Sequence, residues 1–341
     1  MKYIKKERRI MKKSILKKIM CLALALTMFA GLCTGCSGDS ANEDEEKTYK
    51  IGICQLVQHD ALDAATQGFQ DALKEKLGDR VEFDLQNAAG DNPTCGTIVS
   101  QFVSDDVDLI MANATPALQA AMAATADIPI VATSVTDFAT ALDTTEWTGT
   151  TGINVTGTAD LAPLDEQAVM VTELVPGAKK VGILYCSAEP NSKYQSDVIT
   201  AEFAKYDIEA IEYTVADTND IATVVTKACD EVDCIYIPTD NTIASATSAV
   251  NEIASPKNIP VIAGEEGICK GCGVATLSIS YYSIGYEAGL MAYEILENGA
   301  DPAEMEIKYA TELTKKYIAD RATALNITVP DDYEEIVITE E

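Results

Sequence analysis

The strongest constraint on the fold is an alternation of short, β-branched apolar runs with longer segments of helical periodicity. Strands that alternate with helices in this way indicate βαβ units and parallel sheets. The strand candidates are YKIGICQL, RVEFDLQN, VDLIMAN and IPIVATSV in the first half, and KKVGILYC, IEAIEYTV, DCIYIPT and IPVIAGE in the second. The helix candidates cover residues 60–76, 94–104, 116–124, 191–206, 220–229 and 242–254.

The two halves of the chain repeat each other. ADIPIVATSV matches KNIPVIAGEE, and DLIMANATPALQAA matches CIYIPTDNTIASA. A chain of 341 residues is also long enough for about two domains. We therefore predict an α/β protein of two Rossmann-like, three-layer lobes, with a single large sheet as the alternative. The predicted boundaries are 49–156 plus about 277–304 for the first lobe and 157–276 plus about 305–335 for the second, with TTGINVTGTADLAP as the first crossing.

The first 36 residues have the composition of an export signal, with the true start at Met1 or Met11. A lysine- and arginine-rich beginning precedes the apolar run IMCLALALTMFAGL, which is shorter than the roughly 20 residues of a membrane span. The following LCTGCSGDS resembles the lipobox of bacterial lipoproteins. This resemblance implies that Cys36 becomes a lipid-modified N-terminus; the alternative is an ordinary secretory signal with an incidental cysteine. The polar residues 37–48 predict a flexible tether.

Charge makes nucleic acid an improbable partner. The signal contains nine of the 25 basic residues and one of the 54 acidic residues, so 16 basic and 53 acidic side chains remain, a net charge of about −37. Such a surface repels phosphate backbones and favours solubility.

Seven cysteines remain after the signal. Five of them lie in apolar contexts that are typical of small buried thiols: Cys54, Cys95, Cys186, Cys229 and Cys234. The pair Cys269 and Cys272 in CKGC could form a small disulfide loop or half of a metal site. Outside the predicted signal the sequence has no second CxxC, and no histidine lies near this pair, so we expect no metal.

Eight spaced motifs together resemble one family. They are QHDALDAATQGFQDALKE, NAAGDNPT, ANATPALQAA, IPIVATSVTD, GILYCSAEPNS, YIPTDNTIAS, IPVIAGEEG and ATLSISYYSIGYEAG, in order between about 49 and 330. In this order they resemble the tryptophan/tyrosine-type substrate-binding lipoproteins of ABC transporters. The resemblance implies a type I periplasmic-binding-protein fold, in which two lobes joined by three crossings form a hinge and close on a small ligand. It also implies delivery of that ligand to an ABC permease. Gln58 stands where relatives often carry Glu, so the resemblance does not decide the identity of the ligand.

Ligand-binding residues are expected at the carboxyl ends of the strands, because ligands of open α/β sheets bind there. Thr115 and the following proline begin a helix whose free N–H groups suit a carboxylate. After the next strand, hydroxyl donors could come from Ser134 and Thr136, with Asp137 beside them. Helix capping and turn chemistry explain the same residues.

Across the cleft we predict that Asp240 holds a ligand ammonium while Asn241 caps the next helix. Glu265 and Glu266 are the second choices for the carboxylate, and a capping role for Asp240 is the alternative. Further lining residues are expected from Gln55, Leu56, Tyr185, Pro190, Asn191 and Tyr281, although each could be ordinary core or rim.

Enzyme motifs are missing from the sequence. His59 is the only histidine, and the sequence has neither a Gly-x-Ser-x-Gly elbow nor a Walker or dinucleotide-binding fingerprint. We therefore expect a monomeric, lipid-anchored amino-acid-binding protein, with aromatic ligands favoured and no cofactor. The alternatives are a ligand-sensing partner of a membrane receptor or kinase, and an exported enzyme.

Overall fold

The structure, a computed structural model, describes residues 47–338, so the predicted signal, Cys36 and most of the tether lie outside the described residues. The strands in chain order are β1 (Tyr49–Gln55), β2 (Val81–Asn87), β3 (Leu109–Asn113), β4 (Ile130–Val135), β5 (Val155–Ala159), β6 (Lys180–Cys186), β7 (Glu209–Val215), β8 (Cys234–Ile237), β9 (Val261–Ala263), β10 (Ala275–Ser278), β11 (Lys308–Tyr309), β12 (Thr314–Tyr317) and β13 (Glu334–Glu335).

Helices occupy most of the segments between these strands. In chain order they are α1 (Asp60–Leu77), α2 (Asn92–Ser104), α3 (Thr115–Ala124), α4 (Phe138–Ala141), α5 (Leu164–Leu174), α6 (Pro190–Ala204), α7 (Ile221–Glu231), α8 (Asn241–Ala244), α9 (Thr247–Ala254), α10 (Glu266–Cys272), α11 (Tyr281–Asn298) and α12 (Ala319–Ala324). Three single turns of 3₁₀ helix cover Gly78–Arg80, Thr218–Asp220 and Pro302–Glu304.

The strands form two sheets, as expected from the repeat, and the single-sheet alternative is wrong. The first sheet has the order β11-β5-β4-β3-β1-β2, and every neighbouring pair in it is parallel. The second has the order β13-β12-β10-β9-β8-β6-β7 and is parallel except where β10 meets β12. The central strands are buried along their whole length, as in a sheet with helices on both faces.

The sheets divide at places that differ from the predicted boundaries. β5, which runs to Ala159, pairs with β4 in the first sheet, so the first lobe extends to 159 rather than ending at 156. Likewise β11 pairs with β5, which brings residues 308–309 into the first sheet, whereas the prediction placed everything after about 305 in the second lobe. Strand pairing decides both points, and it is not visible in the local sequence.

Helix starts follow capping chemistry, with one difference from the prediction. Asp91 accepts a hydrogen bond from Thr94 N at 3.0 Å at the start of α2, and a proline follows in its first turn.

The expected helix 242–254 is instead two short helices, α8 and α9, which are separated at Ala246, where the backbone is not helical (φ −141°, ψ 33°).

Close packing of α1 on α11 covers one face of the first sheet. A Cβ atom at Gly285 would lie 2.0 Å from the Ala65 carbonyl oxygen, and one at Gly68 would lie 2.2 Å from the Tyr282 carbonyl oxygen. Only glycine allows the two backbones to approach this closely. No helix within residues 47–338 is long and apolar enough to cross a bilayer.

Candidate ligand-binding cleft

The carboxyl ends of the two sheets face each other across a cleft, and polar side chains meet directly between the lobes. His59 Nε2 lies 3.2 Å from Asn241 Oδ1, and Thr136 Oγ1 lies 3.4 Å from Thr239 Oγ1. Gln195 Nε2 in the second lobe donates to Thr136 Oγ1 at 3.2 Å. Such bonds exist only when the lobes are together, so the structure is in a closed conformation.

The first-lobe wall of the cleft combines unusual backbone geometry with unpaired hydroxyls. Ala114 after β3 has φ 93° and Ser134 at the end of β4 has φ 55°, although neither is glycine. Backbone strain of this kind, about 1–3 kcal/mol per residue, clusters at binding sites. Thr115 Oγ1 and Ser134 Oγ are buried and find no hydrogen-bond partner among the described residues. The predicted residues Thr115 and Ser134 thus lie at the carboxyl ends of β3 and β4 with unused bonding capacity.

A buried carboxylate that the sequence analysis missed follows β5. Asp160 is 4% exposed, and its Oδ2 accepts a hydrogen bond from the Tyr281 hydroxyl at 2.8 Å. Its Oδ1 has no partner in the described part of the chain. Burial raises the pKa of Asp160, and the hydroxyls of Tyr281 and Thr136 act in the opposite direction. Tyr281 was predicted to be a flat contact for the ligand, but its hydroxyl contacts this carboxylate.

Asp240, the predicted ammonium partner, is the N-cap of α8. Its Oδ1 accepts from Ile243 N at 2.8 Å, and its Oδ2 accepts from Cys186 N and Ser192 Oγ, both at 2.7 Å. The prediction that Asn241 caps the helix and leaves Asp240 free is therefore wrong. Burial and the charge of Glu189 raise the pKa of Asp240 to about 8, against the effect of these three donors.

Glu189, which the sequence analysis also missed, accepts hydrogen bonds from the side-chain amide of Asn241. Its carboxylate accepts from Asn241 Nδ2 at 2.7 Å and Asn241 N at 3.0 Å, and from both Thr242 N and Thr242 Oγ1 at 2.8 Å. Asn191 Nδ2 adds a fifth bond at 3.2 Å. Because every donor lies in the second lobe, Glu189 holds the β8–α8 loop in place.

The second-lobe wall also contains a small amide and hydroxyl cluster. Asn191 Nδ2 donates to the Thr239 carbonyl at 3.1 Å, while Asn191 Oδ1 is buried and has no partner among residues 47–338. Gln195 Nε2 donates to Thr239 Oγ1 at 2.6 Å. Pro190 occupies the first turn of α6 and helps to begin the helix that presents Asn191. Asn191 is thus a second-lobe residue with a free acceptor at the cleft.

The other predicted carboxylates act as helix caps. Asp137 accepts from Thr140 N at 2.7 Å and begins α4. Glu265 accepts from Gly267 N at 2.6 Å and also from Ile268 N, and it begins α10. Burial raises the pKa of Glu265 to about 7, although these two N–H groups lower it.

Two further predicted residues are used inside their own lobes. Gln55 donates to Asp63 Oδ1 at 2.6 Å and accepts from the Thr66 hydroxyl at 2.6 Å. Tyr185 is 2% exposed and belongs to the apolar core that contains Ile199 and Phe203. Both side chains are therefore occupied by intralobe contacts.

A cavity of about 320 Å³ opens between the lobes beside this cluster. Leu56, Val57 and Pro93 contribute to it from the first lobe, and Ala188 and Glu189 from the second. Half of its lining residues are polar or charged, among them Asp91, Asp217 and Asn241, so the lining is mixed. Leu56 therefore lies where the sequence predicted, at the edge of the cleft.

The cysteines are all thiols in the part of the chain described. Cys54, Cys95, Cys186, Cys229, Cys234, Cys269 and Cys272 are buried and free, as expected for the first five. Cys269 and Cys272 lie in α10, and the residues that the structure describes contain no group of side chains suited to a metal ion.

The family model of ABC transporter substrate-binding proteins matches residues 50–336. The chain belongs to this family. As a substrate-binding protein it is not an enzyme, and its fold is the type I periplasmic-binding fold that the motifs implied. A curated relative, the tyrosine-binding protein of Clostridioides difficile strain R20291, is 39% identical over 292 residues, covering 82% of this chain and 84% of the relative.

Two solved structures bear on the conformation of this substrate-binding protein. A complex with L-Trp from Streptococcus pneumonia is 31% identical, covers 85% of this chain and 100% of the other, and has a TM-score of 0.82. A ligand-free, open substrate-binding protein from Clostridium difficile is 35% identical, covers 85% of this chain and 99% of the other, and has a TM-score of 0.65. The lobes here are thus arranged more like those of the complex, in agreement with the bonds between the lobes.

Proposed function

We propose that the chain binds an amino acid in the cleft between its lobes, with aromatic amino acids preferred. The observation that carries this proposal is the set of buried, unpaired polar atoms at the ends of β3, β4 and β5: Thr115 Oγ1, Ser134 Oγ and Asp160 Oδ1. Two hydroxyl donors and one carboxylate acceptor are complementary to a zwitterion. Unpaired buried polar atoms are costly, about 1–3 kcal/mol each, so a ligand that pairs them gains that energy.

The ligand carboxylate is assigned to the first-lobe wall. The N-terminus of α3 presents backbone N–H groups and a positive dipole end, and Thr115 and Ser134 add hydroxyl donors there. The ligand ammonium is assigned to Asp160, because a carboxylate with one free oxygen forms a charge-assisted hydrogen bond with a cation. Asn191 Oδ1 is a further acceptor from the second lobe.

The preference for an aromatic side chain rests on the relatives. One is named a tyrosine-binding protein, and another was solved with L-Trp. Leu56, Val57 and Pro93 form an apolar part of the mixed lining of the cavity between the lobes, and the large flat side chain is assigned to this part.

Binding is tested by isothermal titration of the purified residues 47–341 with L-tyrosine and L-tryptophan. The matched probes are tyramine, which lacks the carboxylate, and 3-(4-hydroxyphenyl)propionate, which lacks the ammonium. We expect binding of the complete amino acid and a loss of at least tenfold for either probe. A ligand present at 100 times its Kd should also raise the unfolding free energy by about 2.7 kcal/mol. Equal binding of all the probes would refute the zwitterion assignment.

The cellular role proposed is that of the lipid-anchored, monomeric component of an ABC importer, outside the cytoplasmic membrane. The signal-like residues 1–36, the lipobox-like LCTGCSGDS and the family match support it. Deleting a permease gene encoded beside this protein should abolish uptake of the radiolabelled ligand while leaving binding by the purified protein intact. Uptake that persists after the deletion would oppose the importer role.

A further inference from the structure

His59 lies where the lobes touch. It directly precedes α1 in the first lobe, and its Nε2 is 3.2 Å from Asn241 Oδ1 in the second lobe. Its other ring nitrogen, Nδ1, is buried and has no partner within the described chain. The contact therefore forms on closure and is lost when the lobes separate.

The protonation state of His59 follows from the orientation of Asn241. The Asn241 amide nitrogen donates to Glu189 at 2.7 Å, which turns its oxygen toward the imidazole. An oxygen accepts only, so Nε2 must carry the proton that is donated. Nδ1 can then remain a bare nitrogen, whereas a doubly protonated ring would place a second N–H in a buried position without an acceptor.

The electrostatic surroundings favour the same neutral form. Burial lowers the pKa of His59, and this effect exceeds the opposing effects of Asn241, Glu189, Asp63 and Asp60. The cavity beside the ring is also bordered by Glu265 and by Lys270, a cation. In addition, a positive ring at the start of α1 opposes the helix dipole. When the lobes part, water reaches the ring and its pKa returns toward the ordinary value of about 6.5.

We propose that His59 closes the cleft only as a neutral imidazole, so that ligand binding expels a proton from the protein. His59 is a positioning residue in this scheme, acting through Asn241, which Glu189 orients. The inference rests on the proposed function, because closure is measured through ligand binding. Affinity is then constant above about pH 7 and falls below the pKa of the open form, by up to about tenfold per pH unit for one coupled proton.

The sign of this dependence separates His59 from the acidic groups nearby. Asp240, with a pKa of about 8, and Glu265, with a pKa of about 7, are buried carboxyls that gain protons if closure buries them further. Coupling through such groups strengthens binding as the pH falls. A loss of affinity on acidification thus has the sign of the histidine, a sign shared only by Asp160, which must be ionised to hold the ligand ammonium. The His59→Gln variant and the ring pKa of His59 separate these two groups.

Calorimetric titration with L-tyrosine and L-tryptophan from pH 5 to pH 8 tests the proposal on residues 47–341. We expect wild-type affinity to fall at least tenfold between pH 7 and pH 5, with proton release detected as a dependence of the binding heat on the buffer. His59→Gln keeps an N–H donor but cannot titrate, so its loss of affinity between pH 7 and pH 5 should be at least threefold smaller than that of the wild type, and what remains is the contribution of Asp160. Gln67→Ala, at an exposed position of α1 away from the cleft, should follow the wild type.

Nuclear magnetic resonance supplies a second measurement that needs no variant. His59 is the only histidine in the sequence, so its ring signals are unambiguous. Saturating ligand should lower its pKa. If affinity depends on pH in the same way in the wild type and in His59→Gln, or if the ligand leaves the imidazole pKa unchanged, the proton coupling is overturned and the proposed function is not affected. A wild type that binds neither amino acid at pH 7.5 refutes the proposed function, and the coupling with it.

Discussion

Replacing Asp160 by Asn tests the assignment of the ligand ammonium. The substitution keeps the shape of the side chain and its bond with Tyr281, but removes the charge opposite a desolvated cation. Loss of one partner of a buried ion pair costs about 3–5 kcal/mol, which corresponds to roughly two to three and a half decades in Kd. We expect L-tyrosine and L-tryptophan to bind at least 100-fold more weakly to Asp160→Asn.

The same substitution should stabilise the ligand-free protein at neutral pH. Its Asp160 has a buried oxygen without a partner, and its pKa is raised by burial. The unfolded chain ionises this group near pH 4 and the folded chain at higher pH, so the folded state holds the extra proton between these values. Stability of the free wild type therefore falls with rising pH across this window, and Asp160→Asn should remove that loss. Melting curves at pH 5 and pH 8 measure it.

A ligand analogue separates the charge contact from general damage to the site. The wild type should bind L-tyrosine much more tightly than 3-(4-hydroxyphenyl)propionate, whereas Asp160→Asn should discriminate little between them. The control is Asp240→Asn, because Asp240 is an equally buried aspartate whose oxygens cap α8. It should lose about 1–3 kcal/mol of stability while keeping the discrimination. An Asp160→Asn protein that binds within threefold of wild type would refute the assignment.

Three further outcomes are expected. Tyr281→Phe removes the hydroxyl bound to Asp160 Oδ2, so calorimetry should show ligand affinity reduced about fivefold, for a net bond of about 1 kcal/mol; an unchanged Kd would argue against the contact. Gly285→Ala places a methyl group against the Ala65 carbonyl, and denaturant unfolding should show about 1–3 kcal/mol or more of lost stability; Gly96→Ala, at a position with open space, is the control. Cys36→Ala in the full-length chain should abolish detergent-phase partitioning, and partitioning equal to wild type would contradict the anchor.

Much of the fold could be predicted because the local signals are strong. All eight strand candidates are strands, since β-branched runs bounded by turn residues fit buried parallel sheets. The side of the sheet that each residue faces could not be predicted. Tyr185 lies in a strand buried along nearly its whole length, so alternation carries no information about its face, and it packs in the core rather than at the cleft.

The candidate site was predictable in place but not in detail. The carboxyl-end rule selected Thr115, Ser134 and Asn191, which all have unpaired atoms, and their contact with a ligand stays a prediction. It did not decide which of Asp240 and Asn241 caps α8, because both residue types can cap a helix. A residue about fifty positions earlier decides between them, since Glu189 takes the Asn241 amide. Asp160 was missed because β5 extends to Ala159, into a segment that was expected to be a crossing.

The two lobes differ in how their polar groups at the strand ends are used, and this difference bears on the order of binding. In the second lobe the carboxylates of Asp240, Glu265 and Glu189 are each occupied by backbone or side-chain donors of that lobe. In the first lobe the hydroxyls of Thr115 and Ser134 are free. Under the proposed assignment, a ligand gains most of its polar contacts from the first lobe and the hinge before closure. The second lobe adds mainly enclosure, so substitutions in the first-lobe wall should raise the rate of ligand dissociation even in the open form, whereas substitutions at Asn241 should act through closure.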